Sequence, residues 1–222
     1  MKPEELEAKV KSLVETVEEL EARVRKAEDI EAIKKLQRAY GFYLEHWQED
    51  EIIELFSKSE NVSVELNDGG EYRGPEGIIK CFCFKDHYTA FEGREATCPP
   101  ECMDLMIPIC GIVNVDPDGK TAKGRWYGSF LGAQPRGGIL RALIGCGIWE
   151  NEYIKEDGVW KLLKIFFSDI ISSPLDEGWV KMPFINNPPA KGRPAPVRNK
   201  NWEPYPSGQI FPYHYKNPVT GK

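Results

Sequence analysis

Tyr40, Tyr43 and Trp47 stand at three- and four-residue spacing behind Ile33 and Leu36. That spacing puts the five side chains on one face of a helix. The stripe lies in Ile30–Phe56, and it turns from aliphatic to aromatic and hydroxyl-bearing as it advances. A buried tyrosine needs a partner for its hydroxyl. The aromatic end is therefore either a well-satisfied core or the wall of a pocket, and spacing alone favours the core. A seam near Glu45–Glu49 divides the stretch into two helical pieces, the second carrying Ile52, Ile53, Leu55 and Phe56.

Other chemistries find little support. The chain contains no GxSxG and no GxxxxGK[ST], so neither a serine-nucleophile elbow nor a phosphate loop is expected. Three histidines, His46, His87 and His214, cannot form a three-histidine metal site unless distant segments converge. Cys81, Cys83, Cys98 and Cys102 could supply four thiolates, but their spacing is not that of a zinc knuckle, and cysteine is often simply buried.

The 222 residues suffice for one substantial core with appendages. The net charge is −6 with Lys and Arg scattered, which argues against nucleic acid as a partner. No apolar run is long enough to span a membrane. The charged start of the chain has no apolar signal core, and six cysteines then read as reduced thiols, so a cytoplasmic location is expected.

Three regions must position the stripe. In residues 1–29, Leu6, Val10, Leu13, Val17, Leu20, Val24 and Ala27 alternate four and three apart. So narrow a seam needs a partner, either as a coiled-coil oligomerisation arm or laid along its own domain. Residues 30–172 form the second region. After the helices, Asn61–Leu66 alternates as a strand and Asn67–Gly70 turns. Gly74-Pro75 then opens a short helix. Long strands follow over 102–115, 121–134, 139–155 and 159–171, an antiparallel meander joined by Asp/Gly-rich turns. Helices first and a curled sheet afterwards is an α+β arrangement. Gly124, Gly128, Gly132, Gly145 and Gly147 inside the strands fit bulges, bends, or close approach by a ligand. Residues 173–222 hold ten of the seventeen prolines, with aromatic residues between them. Such a tail is expected to lie extended over its own domain or a neighbouring subunit, with disorder the alternative for 188–201.

Several phrases in this order carry a resemblance. They are Tyr40–Glu45 followed by Asp50 and Leu55-Phe56, then Tyr72–Gly77, then Asp118–Trp126, then Trp149–Tyr153 followed by Lys155–Lys161. Over roughly Ile30 to Ile171 the chain resembles the SnoaL-like, scytalone-dehydratase-like branch of the nuclear-transport-factor-2-like superfamily. The resemblance implies a cone-shaped α+β barrel of curved antiparallel sheet closed by helices around an apolar pocket. It also implies elimination or isomerisation by proton transfer, with no metal or organic cofactor. The expected substrate is an aromatic or polycyclic small molecule, and the expected assembly a homo-oligomer, trimer before dimer.

In dehydratase-like relatives a carboxylate at the end of the first long helix works with a histidine from the sheet. Glu45 matches the carboxylate position, with Glu for the usual Asp. Five residues are about 500° of helical turn, so Glu45 can join Tyr40 only if the helix ends or bends near His46. The histidine position falls near Met106, and no histidine lies between His87 and His214. His46 and His87 are then the candidate replacements, with Tyr40 and Tyr43 as donors to a phenol or carbonyl oxygen. Trp47, Met106, Trp126, Trp149, Asn151 and Tyr153 are the expected binding residues, Asn151 at a strand position that is commonly Asp in the superfamily. A lyase is the leading expectation. An isomerase or cyclase, a non-catalytic carrier of apolar ligands, and an assembly protein built on its arm and tail are the alternatives.

Overall fold

The computed structural model describes residues 2–66, 70–84, 101–136, 139–183, 203 and 205–222. One helix, α1 (Pro3–Glu45), runs through both the heptad region and the aromatic stripe. Residues 2–28 are exposed all round, with Leu6, Val10, Leu13, Val17, Leu20 and Val24 each about half accessible. From Asp29 onward the helix has a buried side: Asp29, Ile33, Gln37, Tyr40 and Gly41. Their spacing is that of one helix face laid on a sheet.

The helix stops at Glu45 because the chain turns there. His46 is its C-cap, and Trp47 follows with φ 55. That left-handed conformation is uncommon for a residue other than glycine and ends the helical path. Trp47 remains buried although it has left the helix. The short helix α2 (Glu49–Glu54) opens with Glu49, Asp50 and Glu51, whose charges suit a helix N-terminus.

Among the described residues the sheet has six strands in the order β2-β1-β6-β5-β4-β3. It is not closed: β2 (Gly70–Arg73) and β3 (Met103–Val115) are its edges. β1 (Ser63–Leu66) pairs antiparallel with β2 and parallel with β6 (Val159–Pro174). The parallel pairing is not visible in the sequence pattern. β3, β4 (Thr121–Arg136), β5 (Ile139–Glu156) and β6 form the antiparallel meander expected. α3 (Gly74–Phe82) begins at Gly74, φ 70, with Pro75 in its first turn.

Side-chain alternation gives the sheet two faces. On the inner face Trp126 pairs with Trp149, Gly128 with Gly147, and Gly124 with Asn151. The inner glycines mostly receive the protein's own rings. A Cβ at Gly147 would lie 2.5 Å from Phe167, one at Gly128 2.8 Å from Phe167, and one at Gly132 2.4 Å from Phe130. Register shifts between Cys146 and Gly147 and between Glu152 and Tyr153 bend β5 against β6.

The outer face carries Arg125 and Glu150, which are opposite partners one residue along from Trp126 and Trp149. Here the C-terminal stretch lies across the strands. Arg125 donates to the Glu150 carboxylate (2.7 Å) and to the carbonyls of Pro212 (2.8 Å) and Phe211 (3.2 Å). His214 bridges Glu150 at 2.7 Å and Asn114 at 3.2 Å, while Phe211 packs on Phe166. The segment 188–201 lies outside the described residues.

Candidate functional site

The stripe on α1 meets the inner face of the sheet through aromatic rings. Tyr40 is 2% exposed and packs edge-on against Phe56, Phe82 and Trp149, with ring centroids 6.0–6.4 Å away. Such edge-to-face pairs add about 0.5–1.5 kcal/mol each beyond area burial. Burial pushes the Tyr40 phenol well above its usual range, and the neighbouring Cys81 thiol adds to the shift. Tyr40 is therefore a neutral hydrogen-bond donor throughout the physiological range.

Glu45 is the last residue of α1 and is half-buried. The helix runs unbroken through Glu45, so the Glu45 side chain leaves α1 about 140° round from that of Tyr40. His46 is exposed, Tyr43 is half-buried against the core, and His87 lies outside the described residues. Trp47 stacks on Phe84 at 5.5 Å and donates its indole N–H to Asp104 at 3.0 Å. Met106 is half-buried on β3, opposite Phe130. The remaining histidine, His214, is on the outer face and does not replace the one missing near Met106.

Three of the expected binding residues belong to one buried hydrogen-bonded chain. Trp126 Nε1 donates to the Tyr153 hydroxyl (3.0 Å), which donates to Gln37 Oε1 (2.8 Å). Asn151 Nδ2 donates to the same oxygen (2.9 Å), while Asn151 Oδ1 accepts from the Phe166 amide at 3.3 Å. All four side chains are at most 3% exposed. Desolvation raises the Tyr153 phenol above its usual range, against the pull of its hydrogen bonds to Asn151 and Trp126. The Trp126 ring also lies across the β3 bulge, where a Cβ at Gly111 would approach within 2.0 Å. Trp149 sits between Tyr40 and Phe167, 5.0 Å from the latter. These side chains are thus part of the packed core on the inner face of the sheet.

Gln37 was not among the expected site residues. Its signal was present: a polar side chain interrupting the stripe between Ile33 and Tyr40. Asp29 was missed too. Its carboxylate accepts from Lys155 Nζ (2.6 Å) and Trp160 Nε1 (2.8 Å), pinning α1 to β5 and β6. Among the described residues no cluster of three or more His, Cys, Asp or Glu side chains could hold a metal ion. Cys98, one of the four thiols considered above, lies outside them.

No curated protein matches the sequence. Among solved structures, hexachlorocyclohexane dehydrochlorinase (LinA) type 2 superimposes with a TM-score of 0.56 at 17% identity, covering 69% of this chain and 93% of its own. The type 3 enzyme from Novosphingobium barchaimii LL02 gives 0.53 at 16% identity, with coverage of 69% and 94%. A candidate scytalone dehydratase from Novosphingobium aromaticivorans DSM 12444 gives 0.53 at 14% identity, with coverage of 68% and 91%. At these identities the likeness is one of fold. The sequence model of the SnoaL-like domain matches residues 25–165. With that match spanning most of the chain, and with helices laid on the inner face of a curved, open six-stranded sheet, the protein belongs to the SnoaL-like family of the nuclear-transport-factor-2-like superfamily.

Proposed function

We propose that the protein is a cofactor-independent lyase that acts by general acid–base catalysis on an aromatic or polycyclic small molecule. The observation that carries this reading is the end of α1 at Glu45. A half-buried carboxylate stands about 1.4 helical turns beyond a neutral, desolvated phenol, at the end where the helix gives way to the turn at Trp47. Glu45 moves the proton, and Tyr40 with Tyr43 holds the oxygen on which charge develops. The dehydrochlorinase and candidate dehydratase folds support elimination as the reaction class. One of His46, exposed beside Glu45, or His87 takes the part of the missing sheet histidine in polarising that oxygen. Trp47, Met106, Trp126, Trp149, Asn151 and Tyr153 form the walls.

The test uses full-length protein in deuterium oxide, with a panel of hydroxylated and ketonic polycyclic compounds. Elimination, or deuterium uptake at an acidic C–H, is followed by NMR. Glu45→Gln should cost about 10²-fold or more in rate, the scale of a lost general base or acid. Tyr40→Phe should slow the same reaction. A responsive substrate turned over at the wild-type rate by both variants overturns the assignment.

A second reading is a carrier of apolar ligands. The close ring packing around Tyr40, and Met106 in place of the sheet histidine, favour it. Recovery of bound ligand unchanged, with no turnover across the panel, would select it.

The assembly belongs to the same proposal. We place residues 1–29 as an oligomerisation arm, 30–172 as the catalytic domain and 173–222 as an extension, in a cytoplasmic homo-oligomer, preferentially a trimer. The exposed heptad seam supports the arm, because apolar side chains half open to water gain from pairing with copies of themselves. The outer sheet face adds Ile107, Ile109, Tyr127 and Leu131, each 37–48% exposed.

A further inference from the structure

Gln37 is fully buried, and its carboxamide is held in one orientation by its neighbours. Asn151 Oδ1 is engaged by the Phe166 amide, so Asn151 turns its Nδ2 toward Gln37. With Asn151 Nδ2 fixing an oxygen of Gln37 on this side, Tyr153, which accepts from the Trp126 indole, donates its own proton to the same oxygen. Two donors on one side require an oxygen there, and the Gln37 NH2 must face the other way. That Nε2 has no hydrogen-bond partner among the described residues. Leaving such a donor buried and unpaired costs about 1–3 kcal/mol. Four side chains from α1, β4 and β5 thus hold in place a donor that has no acceptor among the described residues.

We propose that Gln37 Nε2 is a preset donor to an acceptor oxygen of the bound small molecule, and so a binding and specificity residue. This rests on the reading that the fold takes up a small apolar molecule. The ligand class follows from the donor. An N–H donor suits a ketone, enolate or phenolate oxygen, and it discriminates against a hydrocarbon of the same shape, which leaves it unpaired. Gln37 precedes Tyr40 by three residues on the same helix face, so the phenol lies one turn further along. The two groups divide the work. Gln37, immobilised by Asn151 and Tyr153, reads the oxygen already present in the ground state. Tyr40 serves the oxygen that gains charge in the proposed elimination.

The experiment compares 1-tetralone with tetralin, which differ in one carbonyl oxygen. Binding to the full-length wild-type protein is measured by titration calorimetry. In parallel the 15N-labelled Gln37 side-chain amide is followed by NMR, assigned by its disappearance in Gln37→Met. The expected result is tetralone bound about tenfold more tightly than tetralin, equivalent to about 1.4 kcal/mol. The Gln37 NH2 signals should move with tetralone and not with tetralin. In Gln37→Met the preference should vanish while tetralin binding persists. Equal binding of the two compounds, or tetralone binding with the NH2 signals unmoved, overturns the inference and leaves the small-molecule reading standing. A resident water that keeps the NH2 occupied gives that second outcome. Failure of both compounds to bind removes the small-molecule reading and the inference together. The wild-type comparison decides these cases even if Gln37→Met does not fold.

Discussion

Gly41→Ala should destabilise the protein, although replacing a glycine inside a helix normally stabilises it. The propensity gain is about 1 kcal/mol. Gly41, however, lies where α1 touches β3. A Cβ built there would sit 2.7 Å from the Met106 carbonyl oxygen and 3.0 Å from Pro108 Cδ. An ordinary carbon–oxygen contact is about 3.3 Å or more, so the helix or the strand must yield by roughly half an ångström. Neither neighbour yields cheaply. Met106 belongs to a backbone paired with Phe130 of β4, and the proline ring is rigid. Overpacking of this kind costs about 1–3 kcal/mol, and with two stiff partners the upper half applies. Setting about 2–3 kcal/mol against a gain of about 1 leaves a net loss of about 1–2 kcal/mol, or roughly 2–8 °C in Tm for a domain of this size. Urea titration followed by circular dichroism and tryptophan fluorescence reads the change directly. If the enzymatic proposal holds, turnover should fall as well, because Glu45 is one turn beyond the displaced residue. The sign decides the matter. A variant more stable than wild type by about 1 kcal/mol would mean that α1 does not rest on β3 as described.

Asp29→Ala should cost about 2–4 kcal/mol in the same titration, because it leaves the Trp160 indole N–H and the Lys155 ammonium without their acceptor. Lys155 is partly open to water, which holds the loss toward the lower end, and Asp29→Asn should lose less by keeping an acceptor for Trp160. Tyr40 and Tyr153 predict the alkaline limit of the fold. Both phenols are raised above the usual 10.0. Their contribution is complete below about pH 10 and is lost as the pH rises from there toward the higher folded-state values. Absorbance at 295 nm should therefore show at least two of the nine tyrosines ionising only as circular dichroism reports unfolding. Early titration of all nine would refute this. Removal of residues 2–24 should lower the oligomeric state measured by light scattering while leaving the domain folded. An unchanged mass would remove the arm from the proposal.

Local signals in the sequence marked the elements. The four-and-three alternation of Leu and Val predicted a helix through the first 29 residues, and the chain is helical from Pro3 to Glu45. The seam near Glu45–Glu49 falls between α1 and α2, and the turns at Asp116–Gly119 and Asp157-Gly158 separate the strands where expected, whereas β4 runs on through Pro135 and Arg136, which the sequence placed in a turn. These features depend on backbone geometry a few residues long, so neighbouring side chains suffice to encode them. The family resemblance was equally legible, because it rests on the order of short phrases.

Tertiary structure decided what the side chains do. Nothing in the local pattern joins Gln37 to Asn151, or Asp29 to Trp160, because those contacts depend on how α1 lies on the sheet and on the register shifts along β5. The interior glycines could have left room for a ligand. In the folded chain Phe167, Phe130, Trp149 and Tyr153 occupy much of that room. Tyr40 and Tyr153 share a residue type and deep burial, yet one packs among rings and the other carries a proton chain. A hydrogen bond requires donor and acceptor within about 3 Å. Sequence spacing sets that distance inside a helix or a turn, whereas between elements only the packed fold sets it.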